Sequence, residues 1–238
     1  MIKELETAIE KLYKTFSKYP VKSKISGCPC CVTDIEQNKL HCKKLRELED
    51  EDLSYYAFKA MTTFGDLNDF KHFLPRIFEL TARRILTVDT FVILGKLNYG
   101  EWKTWSKDEI ESINTFLKTW WKNDINKGDF FDVEIMIEVN KLLHDLPSML
   151  NDWNLEYETP GFRNYVELVE NYYYDLKTQN QVFKEFTENE IEIFLSWIES
   201  NSYRLDTGFF KFAENDIVFS EQISRALYIL ERMTSHIV

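Results

Sequence analysis

D-L-S-Y-Y-A-F-K-A-M-T-T-F-G-D, residues 52–66, decides how this chain folds. Leu53, Tyr56, Ala57, Ala60 and Met61 recur at three-and-four spacing, the period of a helix with one buried stripe. Alternation every second residue, the mark of a half-buried strand, is absent. The spacing predicts a helix over 50–64, ended by Gly65, with Asp66 placed to cap the next one.

The same period extends outward on both sides. Upstream, Ile2, Leu5, Ile9, Leu12, Tyr13 and Phe16 predict a helix over 2–17, with Pro20 just beyond it. Residues 21–48 read as a Cys-rich irregular loop with one short helix near 34–41. Downstream, 67–86 is helical in pattern but contains Pro75, which has no amide hydrogen and clashes with the preceding turn. A kink or break is expected near Phe73 and Leu74. Further helices are expected over 89–97, 132–143, 147–153 and 160–178. Two capping boxes, Ser106-Lys-Asp-Glu109 and Thr187-Glu-Asn-Glu190, open helices reaching about 122 and 200. A last helix is expected over 217–236.

The fold class is therefore all-α, built as antiparallel helical pairs in a HEAT-like stack or as an irregular bundle. A single domain over 1–238 is expected. Only 7 Gly and 5 Pro occur in 238 residues, too few for many tight hairpins. With 44% hydrophobic and 15% aromatic residues, the chain can bury a substantial core. Its six tryptophans and the Tyr172–Tyr174 run are read as core before they are read as a ligand groove.

A formal charge of −11 excludes phosphate-rich partners such as nucleic acid, and anionic membrane surfaces with them. It suits a basic protein partner, since an acidic field accelerates that encounter; solubility alone is the plainer explanation. No stretch reaches the ~20 apolar residues of a membrane span. The first sixteen residues are interspersed with acids, unlike a signal peptide, so a cytoplasmic location is expected.

All four cysteines and two of the four histidines fall between positions 28 and 72. Cys28-Pro-Cys-Cys31 contains the C-x-x-C spacing with which two thiolates grip one ion from a tight turn, and Gly27 and Pro29 suit that turn. A tetrahedral zinc needs two more ligands. His41, Cys42 and His72 are the candidates, with Cys30 able to replace Cys28 or else left as a free thiol facing away. Free thiols and a redox-active C-x-x-C are the alternatives, although no thioredoxin-like strand precedes the motif. Asp69 and His72 share a helix face, so the carboxylate can orient the imidazole as ligand or base; a first-turn Asp and a histidine packed on Phe73 is the plainer reading. Arg76, Arg83 and Arg84 form the one local basic cluster, read as paired with nearby acids.

The segments G-C-P-C-C at 27–31, Y-A-F-K-A-M-T-T-F-G-D at 56–66 and D-F-K-H-F-L-P-R at 69–76 resemble a family of bacterial proteins of similar length for which no activity is established. The likeness is dense over 27–80 and thinner at Trp120-Trp121. It implies a bacterial, cytoplasmic source and no reaction, and it does not extend to Cys42, where the family carries a small polar residue. Two functions are expected on these grounds. One is an acidic interaction protein, of the immunity or antitoxin kind, stapled by a structural metal. The other is a metal-dependent enzyme using the same Cys/His cluster with an open coordination position.

Overall fold

The computed structural model describes residues 1–234. Among them there are α-helices, short 3₁₀ turns and no strand, apart from two isolated bridges, Gly27 with Phe64 and Ala60 with Phe64. The chain divides into two compact units, 1–120 and 121–238. That division falls inside a helix and not at a Gly- or Pro-rich linker, so composition along the sequence does not announce it.

The N-terminal unit holds α1 (Lys3–Phe16), α2 (Asp34–His41), α3 (Asp50–Lys59), α4 (Leu67–Ala82), α5 (Thr90–Tyr99) and the first part of α6 (Lys107–Lys127). The expected stripe of α1 is buried from Leu5 to Phe16, and α1 packs on α4. α4 is the unit's central element, with Phe70, Phe73, Leu74, Ile77, Phe78 and Leu80 all buried. Its start is set by reciprocal caps: Asp66 accepts from the amides of Asn68 and Asp69 at 2.9 and 3.1 Å, and Asp69 accepts from the Asp66 amide at 2.9 Å.

Of the kink or break expected near Phe73 and Leu74, the break is absent: α4 is continuous through Pro75. Pro75 is itself buried, as are Phe73, Leu74, Ile77 and Phe78 of the same helix, and that burial outweighs the one hydrogen bond lost at Lys71. Conversely, α3 stops at Lys59 and not at 64. Met61 adopts φ 61°, Gly65 adopts φ 76°, and the intervening turn brings Phe64 into the core in place of Met61. The Ala60 carbonyl, released from the helix, accepts from the buried Lys96 ammonium at 3.0 Å.

α4 is tied to the start of α6 by a buried ion pair, Lys71 Nζ to Glu109 Oε2 at 3.1 Å, with side chains 8% and 1% exposed. Glu109 also accepts from the Tyr19 hydroxyl at 2.5 Å and the Ser106 amide at 3.0 Å, and Lys18 lies 3.1 Å away. Burial opposes its ionisation, but these donors outweigh burial and hold its carboxyl down at about 2.

The C-terminal unit contains the end of α6 with α7 (Val133–Leu143), α8 (Leu146–Asn151), α9 (Pro160–Lys177), α10 (Glu188–Ser200), α11 (Tyr203–Phe212) and α12 (Ile217–Thr234). Residues 235 and 236 of the expected last helix lie outside the described residues. α9 is the hub, packing on α10 and α12. Trp121 and Trp153 are buried and donate to the carbonyls of Met149 and Gly161, each at 2.8 Å. The tryptophans at 102, 105, 120, 121 and 153 are all buried, as core residues are. Helix α11 was not expected from the sequence. Its Gly208, a poor helix residue, is required by packing, because an added Cβ would lie 2.7 Å from the Phe162 ring.

The charge is unevenly divided. Residues 1–120 carry 19 Lys and Arg against 18 Asp and Glu, a net +1, whereas 121–238 carry 10 against 22, a net −12. The acidity of the chain belongs to its C-terminal unit.

Candidate metal centre

The cysteine turn is held by backbone and side-chain bonds from three elements. Cys28 donates its amide to the Thr63 carbonyl at 2.9 Å, and Gly65 donates to the Ser26 carbonyl at 2.6 Å, so the α3–α4 turn grips the segment from one side. The Tyr55 hydroxyl of α3 donates to the Cys31 carbonyl. Gln37 of α2 pairs with both backbone groups of Ile25, whose side chain is fully buried. Gly27 is needed for the close curl, since a Cβ there would meet Val32 Cγ2 at 2.7 Å.

Within this frame the Cys28 carbonyl accepts from the amides of both Cys31 and Val32 at 2.9 Å. The turn therefore curls so that three thiols share one side. Cys28 and Cys30 sulfurs are 2.8 Å apart, Cys30 and Cys31 sulfurs 3.6 Å, and all three lie within 4.8 Å of one another. Cys30 is exposed and its two neighbours are half-buried. The two flanking thiols push the Cys30 thiol up to about 11, while the thiol and amide of Cys30 lower that of Cys28.

This arrangement corrects one expectation: Cys30 does not face away as a free thiol but stands between Cys28 and Cys31. The sequence contained the signal, since C-P-C-C is both C-x-x-C and C-x-C. What it did not reveal was the doubly accepting Cys28 carbonyl that rotates Cys30 inward. Tyr55, as the brace of Cys31, was also not foreseen.

The other expected ligands lie elsewhere. Among the described residues, the three cysteines are the one group of three or more metal-ligating side chains brought that close together. His41 ends α2 and is exposed; seven helical steps of about 1.5 Å separate it from Asp34, roughly 10 Å along the helix. Cys42 follows it as C-cap, its thiol on the Lys39 carbonyl at 3.1 Å. His72 is half-buried in α4, with Nδ1 2.7 Å from the Tyr19 carbonyl oxygen and its ring edge-on to Phe73. Burial lowers its pKa, and the nearby His41 does so too, against the opposing effects of the Tyr19 carbonyl and Asp69. Asp69 serves as a cap. Arg76 and Arg83 both pair with Glu79, at 2.8 and 3.1 Å, so that basic cluster offers no free anion site there.

Three soft sulfur donors on one turn can hold a thiophilic ion. Zinc–sulfur bonds of about 2.3 Å place sulfurs roughly 3.5–4 Å apart in a tetrahedral site. The Cys30–Cys31 separation of 3.6 Å already meets that, and Cys28 needs a small rotamer adjustment away from Cys30. The chain matches no protein-family model, no curated protein and no solved structure. No helix among the described residues is long and apolar enough to cross a membrane.

Proposed function

We propose that the protein is a metal-binding helical interaction protein, in which Cys28, Cys30 and Cys31 hold one thiophilic ion, zinc in the first instance, and the acidic C-terminal unit meets a basic partner. The observation that carries this reading is the convergence of three sulfurs on a turn already braced by α2, α3 and the α3–α4 turn. All three donors belong to residues 28–31, so a metal there would fix the conformation of the turn itself, while hydrogen bonds tie that turn to the neighbouring elements.

Three protein donors leave one tetrahedral position for water or for a donor from another molecule. The same opening is what a catalytic zinc keeps, and a metal-dependent enzyme is the rival reading. Exposure favours binding over catalysis. Cys30 and Pro29 are exposed on a surface turn, where nothing excludes water from a developing charge. The net −12 of residues 121–238 supports a basic partner, since an acidic surface raises encounter rates and discriminates by charge. An immunity- or antitoxin-like inhibitor of a basic toxin is the concrete form of this proposal, with a cytoplasmic location and membership of the bacterial family that 27–80 resembles.

The test is metal analysis of protein purified under reducing conditions, wild type beside Cys30→Ser and Cys31→Ser. About one ion per chain in the wild type, lost or strongly weakened in both variants, is the expected result. Equal metal content in all three would overturn the assignment.

A further inference from the structure

Among the described residues, the large hydrophobic side chains most open to water are Val218 and Phe210, 79% and 77% exposed. Ile217 beside them is 62% exposed. Phe210 lies two residues from the end of α11, and Ile217 and Val218 open α12, so all three stand at the turn end of one helical hairpin. The helical period puts Phe210 outside: it is two residues from both Gly208 and Phe212, which are buried, and two steps turn it about 200° away from them. The inner side is already filled, with the Phe212 and Phe219 rings 4.9 Å apart. We propose, resting on the basic-partner reading above, that the outward face of α11 and α12 is where that partner docks, through a cationic amphipathic helix.

Unpaired acids are common in residues 121–238, so charge alone places no partner. The exposed apolar side chains fix the place, and the charges around them fix the chemistry. Asp206 precedes Phe210 by one helical turn, Glu221 follows Ile217 by one, and Glu214 sits in the connecting turn. All three are exposed and have no ion pair or hydrogen bond among the described residues. The cations of the same two helices are committed or distant. Lys211 pairs with Glu158 at 2.8 Å and Arg225 with Glu170 at 2.5 Å, while Arg204 is held by Asn201 and the Leu155 carbonyl. Arg232 donates to the Tyr228 hydroxyl at 3.0 Å, fourteen residues and so roughly 21 Å along α12 from Val218.

A second copy of the chain would bring the same three carboxylates, on a unit of net −12, against this face, and an anionic membrane would be repelled likewise. A partner helix whose apolar stripe covers Phe210, Ile217 and Val218, with flanking lysines or arginines on Asp206, Glu214 and Glu221, satisfies both halves of the surface.

The experiment titrates the full chain with a fluorescein-labelled amphipathic Leu/Lys peptide of about 18 residues, five helical turns, beside its Leu/Glu counterpart, read by fluorescence anisotropy. Saturable binding of the Leu/Lys peptide tighter than about 100 μM is the expected result. Phe210→Ser with Val218→Ser should weaken it at least ~10-fold, and Asp206→Asn with Glu214→Gln and Glu221→Gln at least ~5-fold. Glu185→Gln with Glu188→Gln and Glu192→Gln neutralises three exposed, unpaired acids elsewhere in the unit and should change it less than about 2-fold. Equal weakening by the two acid sets, or indifference to the Phe210 and Val218 pair, would overturn this docking face and leave the basic-partner reading standing. A Leu/Glu peptide bound as tightly, or no binding of either, would overturn the basic partner and the docking face with it. Sedimentation of a dimer that Phe210→Ser with Val218→Ser dissolves would overturn the proposal in favour of a second copy.

Discussion

Glu109→Gln removes the buried carboxylate on which Lys71, Tyr19, Lys18 and the Ser106 amide converge. The magnitude follows from its titration. Folding lowers the Glu109 pKa from an ordinary 4.5 to about 2. That difference is worth about 3 kcal/mol of stability at neutral pH, at 1.36 kcal/mol per unit. The folded-state pKa is depressed, so the contribution is fully present above about pH 5 and is lost as pH falls toward 2. At pH 3 roughly half of it should remain. Glutamine keeps the shape and can still accept from the amide, but it leaves the Lys71 ammonium buried beside a neutral group. Urea unfolding followed by tryptophan fluorescence at pH 7 and pH 3 measures both quantities. Glu109→Gln should cost about 3 kcal/mol at pH 7 and about half that at pH 3. A cost below 1 kcal/mol at pH 7, or an equal cost at the two pH values, would refute the argument.

Three other perturbations probe separate parts of the fold. Gly208→Ala drives a methyl to 2.7 Å from the Phe162 ring and should destabilise by about 1–3 kcal/mol despite the better helix propensity; a raised melting temperature would contradict that packing. Asp66→Ala removes the cap that accepts two amides of α4 and should cost about 1 kcal/mol in urea unfolding, and no loss would show the cap idle. Cys31→Ser should release metal and speed tryptic cleavage after Lys24, while hydrogen exchange in α9 and α12 stays unchanged; equal cleavage rates with and without metal would separate loop order from metal binding.

Most helices were legible because their apolar residues recur with one period and their starts carry caps. Residues 132–143 and 187–200 needed nothing more. The misses share a cause, which is tertiary packing acting against local preference. Pro75 alone favours an interruption, and α4 continues through it because Pro75 and the residues around it, Phe73, Leu74, Ile77 and Phe78, are buried. Gly208 hides α11, because only the Phe162 ring explains a glycine there. Met61 leaves the helical path so that Phe64 can enter the core and the Ala60 carbonyl can reach Lys96. At the candidate metal centre, cysteine clustering was visible, but which sulfurs meet depends on the Cys28 carbonyl accepting two amides. His41, Cys42 and His72 were drawn in by proximity in sequence; α2 carries His41 and Cys42 away from the turn, and His72 is held in α4 against the Tyr19 carbonyl.

X-ray absorption at the zinc edge, on protein loaded with one equivalent of zinc under reducing conditions, counts the sulfurs directly. The account predicts three sulfur scatterers at about 2.3 Å and one lighter donor, falling to two sulfurs in Cys30→Ser. A shell with two sulfurs and two imidazole nitrogens in the wild type, unchanged by Cys30→Ser, would contradict it.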